Sequence, residues 1–272
     1  MTQWPTRLVL VGAGKMGGAM ARGWLEAGLA ASSLTVLEPN PSSEIASLAA
    51  SRGVALNPHI AVPPPEMLVL AVKPQSLDRV APQIAALAGE PTLLLSIIAG
   101  KTIANLLARL PLGRAVVRAM PNTPAAIGRG VTAAFANAEV NDEQRRWCER
   151  LLGAVGTFFW LDHEGAIDAV TAISGSGPAY VFALTEALAV AAERLGLPPG
   201  LSMSLARGTV EGAAELMRCE SATEPSTLRR NVTSPGGTTA AALAVLQGPE
   251  GLNDLMAKAT AAARARAAEM AG

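Results

Sequence analysis

The chain has 272 residues, enough for one large domain or two ordinary ones, and 50% of them are hydrophobic while 3% are aromatic and 16% charged. Its 22 basic and 22 acidic residues cancel without forming a basic run, which argues against a nucleic-acid partner. The two cysteines, Cys148 and Cys219, form no CxxC or histidine-associated cluster. We therefore expect reduced thiols, no metal site and a cytoplasmic protein.

Neither a signal peptide nor a membrane span is expected. The N-terminal sequence MTQWPTRLVLVGAG lacks a charged region followed by a cleavable apolar stretch. Apolar runs such as LLLSIIAG are too short to cross a bilayer, and Glu186 interrupts the helical pattern at 179–192. The sequence predicts a soluble protein with no membrane partner.

The first motif is a glycine-rich turn after a short apolar run. Residues 7–12, RLVLVG, lead directly into GAGKMGGAM. Gly12 and Gly14 allow the backbone to approach a pyrophosphate, and Gly17 lets the following helix pack closely on the strand. A second apolar run, SLTVLEPN, ends at Glu38, where a carboxylate can accept hydrogen bonds from a ribose diol. This order favours a dinucleotide site over a purely structural glycine turn.

Further apolar runs indicate a mostly parallel sheet covered by helices on both faces, a doubly wound α/β fold. These runs lie at 67–75, 91–100, 113–124 and 130–136. Their ends carry Lys73-Pro74, Ala99-Gly100 and Asn122, with its flanking prolines. Ligands of such sheets bind outside the carboxyl ends of the strands, so these loops are predicted to line the cofactor crevice. Each proline alone could be only a turn or a helix stop.

The second half is predicted to be helical. From about residue 164 apolar residues recur at helical spacing, and Gly196 ends one long helix. We expect a dinucleotide-binding domain at 1–162 and an α-helical domain at 163–272. Several helices are apolar over most of their circumference, which predicts a dimer with intertwined helices. Tyr180, the single tyrosine, is as compatible with a packed ring as with a site role.

The sequence NVTSPGGTTAAAL, 231–243, combines a Pro-Gly-Gly turn, small hydroxyl side chains and the start of an alanine-rich helix. Free backbone N–H groups and hydroxyls at a helix start can bind an anion without any lysine. A capped helix with flexible glycines is the alternative, although one hydroxyl would be enough for a cap. The interpretation is a carboxylate site for the substrate. Its residues are Thr233, Ser234, Gly237, Thr238 and Thr239.

The chain offers little for proton transfer. His59 lies in a proline-rich segment and His163 in LDHEG, and we expect both at the surface. A cyclic imine that binds already protonated can accept hydride at carbon and become an amine directly. Glu164 is a candidate partner for its cationic nitrogen, although an acidic residue at a helix start is the ordinary explanation.

With these residues in view, the chain closely resembles the Δ1-pyrroline-5-carboxylate reductases over essentially its whole length. The resemblance rests on GAGKMGGAM, LAVKPQ, RAMPNTPAAIGRGVTA, VTAISGSGPAYVFALTEAL and NVTSPGGTTAAAL, in that order. It implies reduction of 1-pyrroline-5-carboxylate to L-proline by NADPH or NADH. It also implies an N-terminal Rossmann domain and an α-helical dimerisation domain, with dimers often assembled into rings.

The resemblance also implies roles for individual residues. Residues that would contact the cofactor are Gly12, Ala13, Gly14, Lys15, Met16, Gly17, Ala71, Val72, Lys73, Pro74 and Ala99. The segment from Asn231 to Thr239, together with Glu164, would line the substrate pocket. Thr239 would be the hydroxyl closest to the ring nitrogen, and we expect it to act as a weak hydrogen-bond donor.

Two positions depart from the family pattern. Glu38, followed by Pro39 and Asn40, stands where many members have small polar or basic residues, and a carboxylate there repels a 2′-phosphate. This favours NADH, although Asn40 could still help to accept NADPH. Ile60 stands where some relatives have a polar cofactor contact.

Two alternatives stay open at this point. A related imine or β-hydroxyacid dehydrogenase could act on a different small carboxylate, but those acting on alcohols use an interdomain lysine. No lysine occurs between Lys101 and Lys258. A non-catalytic dinucleotide-binding protein would keep the glycine turn without needing the hydroxyl-rich carboxylate site.

Overall fold

The structure, a computed structural model, describes residues 4–58, 64–89, 91–109 and 115–271. It divides into two compact units. Unit 1 comprises the described residues of Met1–Ser176 and Ala263–Gly272, and unit 2 comprises Gly177–Ala262. The segment after residue 162 lies in unit 1 and is tied to its sheet by polar contacts described below, and the domain boundary expected at 162/163 stays a prediction.

Unit 1 is built on one eight-stranded sheet of order β3-β2-β1-β4-β5-β6-β7-β8. The strands are β1 (Leu8–Val11), β2 (Leu34–Leu37), β3 (Ala55–Leu56), β4 (Met67–Leu70), β5 (Leu93–Ser96), β6 (Val116–Met120), β7 (Gly130–Ala136) and β8 (Gly156–Trp160). All neighbouring strands are parallel except β6 and β7. The carboxyl ends of β1, β2, β4 and β5 therefore meet at one edge of the sheet.

Helices cover this sheet on both faces, as the doubly wound prediction requires. The helices of unit 1 are α1 (Lys15–Glu26), α2 (Ser43–Arg52), α3 (Leu77–Leu87), α4 (Ile103–Leu107), α5 (Asp142–Gly153) and α6 (Ala166–Val170). Alternate residues of β1 enter two separate cores: Leu8 and Leu10 pack with α1, α2 and α5, whereas Val9 and Val11 pack with α3 and α4. Because both faces are buried, the strands are continuously apolar and do not alternate.

The prediction of a mostly parallel sheet is confirmed. β7 lies at the predicted residues, 130–136, and is the strand that runs antiparallel to its neighbour β6. The short strand β3 and the strand β8, which extends the edge beyond β7, were not predicted. β3 has only two residues, and the residues of β8 are only partly buried or exposed. Neither segment therefore shows the fully apolar pattern of the central strands.

Unit 2 is helical throughout, as expected. Its helices are α7 (Gly177–Arg194), α8 (Pro199–Cys219), α9 (Pro225–Asn231), α10 (Thr238–Leu246) and most of α11 (Leu252–Ala271). Gly196 follows α7 with a φ of 94°, a left-handed conformation that suits the predicted helix stop. Large apolar side chains of α7 and α8 are exposed. They include Val181, Phe182, Leu184, Leu188, Val190, Leu201, Met203, Leu205, Leu216 and Met217.

The helix that ends with α7 is longer than the sequence analysis expected. The run Ala166–Arg194 is helical over 29 residues, with a π-helical turn at Thr171–Gly175, and Glu186 does not interrupt it. A stretch of 18 residues within this helix has a mean hydropathy of 1.2, so by length and composition alone the helix could cross a membrane. A single such helix is weak evidence for a span. Apolar faces of this kind also fit a partner helix.

A buried tryptophan links the first helix to α5. The Trp24 indole N–H donates to the Leu151 carbonyl at 2.8 Å, and Trp24 is fully buried. After the C-terminus of α5 the Val155 N–H donates to the Leu152 carbonyl and not to the Leu151 carbonyl, four residues earlier. Trp24 therefore satisfies the Leu151 carbonyl, which the helix leaves unpaired.

We predict that Trp24→Phe lowers the free energy of unfolding by about 1–3 kcal/mol, because the Leu151 carbonyl is left buried and unpaired. Trp4→Phe is the matched control, since the Trp4 ring is only partly buried and contacts the Arg150 guanidinium at 5.0 Å. Urea denaturation measures both variants. Equal effects of the two substitutions would contradict the role given to the buried hydrogen bond.

Candidate active site

In the glycine turn between β1 and α1, two glycines pack directly against neighbouring backbone atoms. Gly12 has a φ of 91°, and a Cβ at this position would lie 2.7 Å from the Ala71 carbonyl oxygen. A Cβ at position 17 would lie 2.2 Å from the Gly12 carbonyl oxygen. Gly14, in contrast, is exposed and has no atom within 4 Å of its missing Cβ. The turn thus needs glycine at 12 and 17 for its own packing, and Gly14 leaves open space for a ligand.

The start of α1 offers free donors at this open space. Gly14 is the N-cap residue, no side chain caps the helix, and its first turn contains no acidic residue. The Gly18 N–H donates to the Gly14 carbonyl at 2.8 Å, so the amides of Lys15 and Met16 precede the helical hydrogen bonds. Uncapped amides at a helix N-terminus bind phosphate, and the turn therefore fits the pyrophosphate of a dinucleotide.

Glu38 lies directly against this turn. One carboxylate oxygen accepts the Ala13 N–H at 2.9 Å, and the other accepts the Asn40 N–H at 3.0 Å. Each oxygen keeps a further lone pair for a hydroxyl donor. The structure thus brings the predicted ribose-binding acid to the glycine turn.

The loops after β4 and β5 contribute the remaining predicted cofactor residues. The Ala71 N–H donates to the Val11 carbonyl at 2.8 Å, and a Val72 methyl lies 3.0 Å from the missing Cβ of Gly12. Lys73, Pro74 and Ala99 follow the carboxyl ends of the adjacent parallel strands β4 and β5. They therefore lie at the same edge of the sheet as the glycine turn.

Asn122 makes structural contacts with its whole side chain. Its amide nitrogen donates to the Ser174 carbonyl at 3.0 Å, and its amide oxygen accepts the Val131 N–H at 2.8 Å. Its two hydrogen bonds join the end of β6 to β7 and to the π-helical turn. Asn122 is 7% exposed, so these bonds are buried within unit 1. A cofactor contact of Asn122 stays a prediction.

Glu164 belongs to an ion cluster within unit 1. Its Oε1 accepts the Ile103 N–H at 2.8 Å and the Arg118 guanidinium at 3.1 Å, and Arg118 also contacts Asp168 at 3.4 Å. The Arg118 side chain is 4% exposed, and a buried guanidinium requires such partners. Glu164 thus caps the short helix α4 and neutralises Arg118, and its contact with the substrate stays a prediction.

Sequence reasoning missed Arg118, although a signal was present. This arginine interrupts VVRAM, the otherwise apolar strand β6. A charge in the middle of a buried strand demands a counter-charge, and Asp168 stands one helical turn after Glu164.

The hydroxyl-rich motif of unit 2 forms a helix N-terminus, as predicted. α10 begins at Thr238, with Gly237 as an N-cap that has no capping side chain, and Gly236 adopts a φ of 70°. The first helical hydrogen bond runs from the Ala241 N–H to the Gly237 carbonyl. Within the described residues, the N–H groups of Thr238 and Thr239 have no backbone acceptor.

The hydroxyls of this motif differ in their availability. The Thr233 hydroxyl donates to the Arg229 carbonyl at 2.6 Å, so it closes the end of α9. In the part of the chain that the structure describes, no hydrogen bond engages the hydroxyls of Ser234, Thr238 or Thr239. Thr238 is exposed and Thr239 is partly buried, so this helix start combines free amides with free hydroxyls.

The remaining polar candidates that lie in the described residues are His163 and Tyr180. His163 is exposed, as expected, and His59 and Ile60 lie outside the described residues. Tyr180 is partly buried. Among residues that the structure describes, no group of three His, Cys, Asp or Glu side chains could hold a metal ion. Cys148 is buried, and burial raises the pKa of its thiol far above the ordinary value.

Comparison with known proteins finds two family models. Residues 164–270 match the model described as pyrroline-5-carboxylate reductase dimerisation, and residues 7–100 match that of coenzyme F420-dependent NADP oxidoreductases. A pyrroline-5-carboxylate reductase of Pseudomonas aeruginosa is 41% identical over 267 residues, which cover 97% of each chain.

Solved structures agree with this comparison. A pyrroline-5-carboxylate reductase of Coxiella burnetii superposes with a TM-score of 0.89 at 34% identity, over 98% of this chain and 99% of that one. A pyrroline carboxylate reductase of Plasmodium falciparum with NADP bound gives 0.79 at 28% identity, over 98% of each chain.

The two glycines of the turn provide a matched pair of substitutions. We predict that Gly17→Ala lowers the free energy of unfolding by about 1–3 kcal/mol, because the added methyl group overlaps the Gly12 carbonyl. Gly14→Ala changes stability by less than about 0.5 kcal/mol but weakens nucleotide binding, because its methyl group enters the open space. Urea denaturation and nucleotide titration measure the two effects. A Gly17→Ala protein as stable as the wild type, or a Gly14→Ala protein with full affinity, would contradict this assignment.

Proposed function

Because the chain belongs to the pyrroline-5-carboxylate reductase family, we infer that its two units divide the binding tasks of one reduction. The protein is an oxidoreductase that reduces 1-pyrroline-5-carboxylate to L-proline with NADH or NADPH. The match to reductases over 97% of the chain is the observation that carries this function.

The reaction places limited demands on the protein. When bound, a reduced nicotinamide would supply a hydride to the imine carbon, while the electrons of the C=N π bond would move to a nitrogen that already carries a proton. The product is the amine directly, so no strong general acid is required. This fits a chain in which His163 is exposed.

We propose that unit 1 binds the nucleotide at the glycine turn. The amides from Gly14 to Gly17 would hold the pyrophosphate beside Ala13, whose own N–H donates to Glu38, and Glu38 would accept the ribose hydroxyls. Residues 71–74 and Ala99 would line the crevice at the neighbouring strand ends. The free N-terminus of α1 and the hydrogen bond between Glu38 and Ala13 support this proposal.

The substrate carboxylate is assigned to the N-terminus of α10 in unit 2. The N–H groups of Thr238 and Thr239 would donate to its oxygens, with Ser234 and Thr238 as hydroxyl donors. The Thr239 hydroxyl would hydrogen-bond the ring nitrogen. The uncapped helix start and its free hydroxyls support this assignment, since a helix N-terminus binds a carboxylate without a cationic side chain.

Self-association through the helical region is part of the same proposal. The family model for residues 164–270 is a dimerisation model, and α7 and α8 expose many large apolar side chains. A homodimer would bury these faces, and dimers could assemble further into a ring. A cytoplasmic location fits the two free cysteines.

We predict that Thr239→Val lowers kcat/KM for pyrroline-5-carboxylate by about tenfold, because one hydrogen bond to the substrate is lost. Thr260→Val is the matched control, since the Thr260 hydroxyl donates to the Met256 carbonyl of its own helix. Nucleotide oxidation followed by absorbance measures both variants. Unchanged kcat and KM in Thr239→Val would show that the Thr239 hydroxyl takes no part in the reaction.

The carboxylate of Glu38 predicts a preference for NADH, because a 2′-phosphate would meet a negative charge. Glu38→Gln should raise kcat/KM for NADPH relative to NADH by roughly tenfold, since charge repulsion is removed while the side-chain shape is kept. Initial rates with both nucleotides measure the ratio. A wild type that prefers NADPH, with an unchanged ratio in Glu38→Gln, would contradict the proposed discrimination.

A further inference from the structure

Asn57 has an unusual backbone conformation next to the nucleotide turn. It follows β3 and has a φ of 45°, one of two non-glycine residues with positive φ in the described chain. Its own N–H donates to the Val36 carbonyl at 2.9 Å, which continues the pairing of β3 with β2. β3 ends at Leu56, and β2 ends at Leu37, one residue before Glu38.

The Asn57 side chain pairs with the backbone of Glu38, the first residue after β2. Its amide oxygen accepts the Glu38 N–H at 2.9 Å, and its amide nitrogen donates to the Glu38 carbonyl at 2.6 Å. A side-chain amide carries one acceptor and two donors, so it can replace the backbone of a neighbouring strand. The two hydrogen bonds extend the pairing of β2 to Glu38.

Glu38 is consequently held at four atoms. Asn57 fixes its backbone N–H and carbonyl, while Ala13 and Asn40 donate to its two carboxylate oxygens. The position of the backbone determines where this carboxylate can reach. If the backbone were free to shift, the carboxylate could turn away from the glycine turn and admit a 2′-phosphate.

We propose that Asn57 is a positioning residue for nucleotide selection: it holds Glu38 against the glycine turn and thereby excludes a 2′-phosphate. This inference rests on the proposed role of Glu38 as the ribose-binding acid. Asparagine is also common in left-handed turns for local reasons, and the test must separate this role from the hydrogen bonds to Glu38.

Asn57→Gly makes that separation, because glycine keeps the left-handed turn and removes the side-chain amide. Asn57→Ser is a second variant, whose side chain is too short to pair with Glu38. Asn141→Gly is the matched control. It removes an asparagine that accepts the Gln144 N–H in the cap of α5, and it leaves Glu38 untouched.

The readout is binding, measured by isothermal titration calorimetry with NAD⁺ and NADP⁺ in the absence of substrate. We expect the ratio of the NADP⁺ to the NAD⁺ dissociation constant to fall by about fivefold in Asn57→Gly and Asn57→Ser. The control variant should keep the wild-type ratio. In a Glu38→Gln background, adding Asn57→Gly should change the ratio by less than about twofold, because the two residues act through one carboxylate.

The outcomes distinguish this inference from the proposed function. If Glu38→Gln lowers the ratio and both Asn57 variants leave it unchanged, Asn57 has no positioning role and only the inference is wrong. If Glu38→Gln itself leaves the ratio unchanged, the role of Glu38 is wrong and the inference falls with it. A change in the ratio that persists fully in the Glu38→Gln background also overturns the inference, because Asn57 would then act by another route.

Discussion

Backbone contact at the glycine turn is the constraint on which the nucleotide site depends. Positions 12 and 17 have no room for a side chain, because their missing Cβ atoms would overlap the carbonyl oxygens of Ala71 and Gly12. β1, α1 and the loop after β4 therefore meet at one corner of the sheet. The free amides of α1 and the carboxylate of Glu38 face the same corner as a consequence.

The proposed substrate site also uses the unpaired amides of a helix N-terminus. The N-terminus of α10 has unpaired N–H groups, and hydroxyls take the place of a basic side chain. Neutral donors suit a substrate that carries a carboxylate and a protonated imine, because a lysine would repel the cationic nitrogen. The interaction with the carboxylate then sets the orientation, and the cofactor supplies the hydride. Catalysis in this account depends on positioning and electrostatics rather than on a proton donor.

Local sequence patterns were sufficient to predict the glycine turn, the central parallel strands, Glu38 at the end of β2 and the helix start at Thr238. These features depend on neighbouring residues along the chain. The pairing of Arg118 with Glu164 and Asp168 depends on contacts distant in sequence. The hydrogen bonds between the Asn57 side chain and the Glu38 backbone do so as well. The residues just after 162 contact β6 through Glu164 and Asp168, and these contacts are likewise distant in sequence. The apolar pattern of β7 does not indicate its direction, so the sequence could not predict that it runs antiparallel to β6.

The central claim is that the N-terminus of α10 binds the substrate carboxylate while the glycine turn binds the nucleotide. A crystal structure of the enzyme with NAD⁺ and L-proline tests it most directly. The account predicts the proline carboxylate within hydrogen-bond distance of the Thr238 and Thr239 amides, and the pyrophosphate at residues 13–17. Proline bound with its carboxylate away from residues 231–239 would contradict the account.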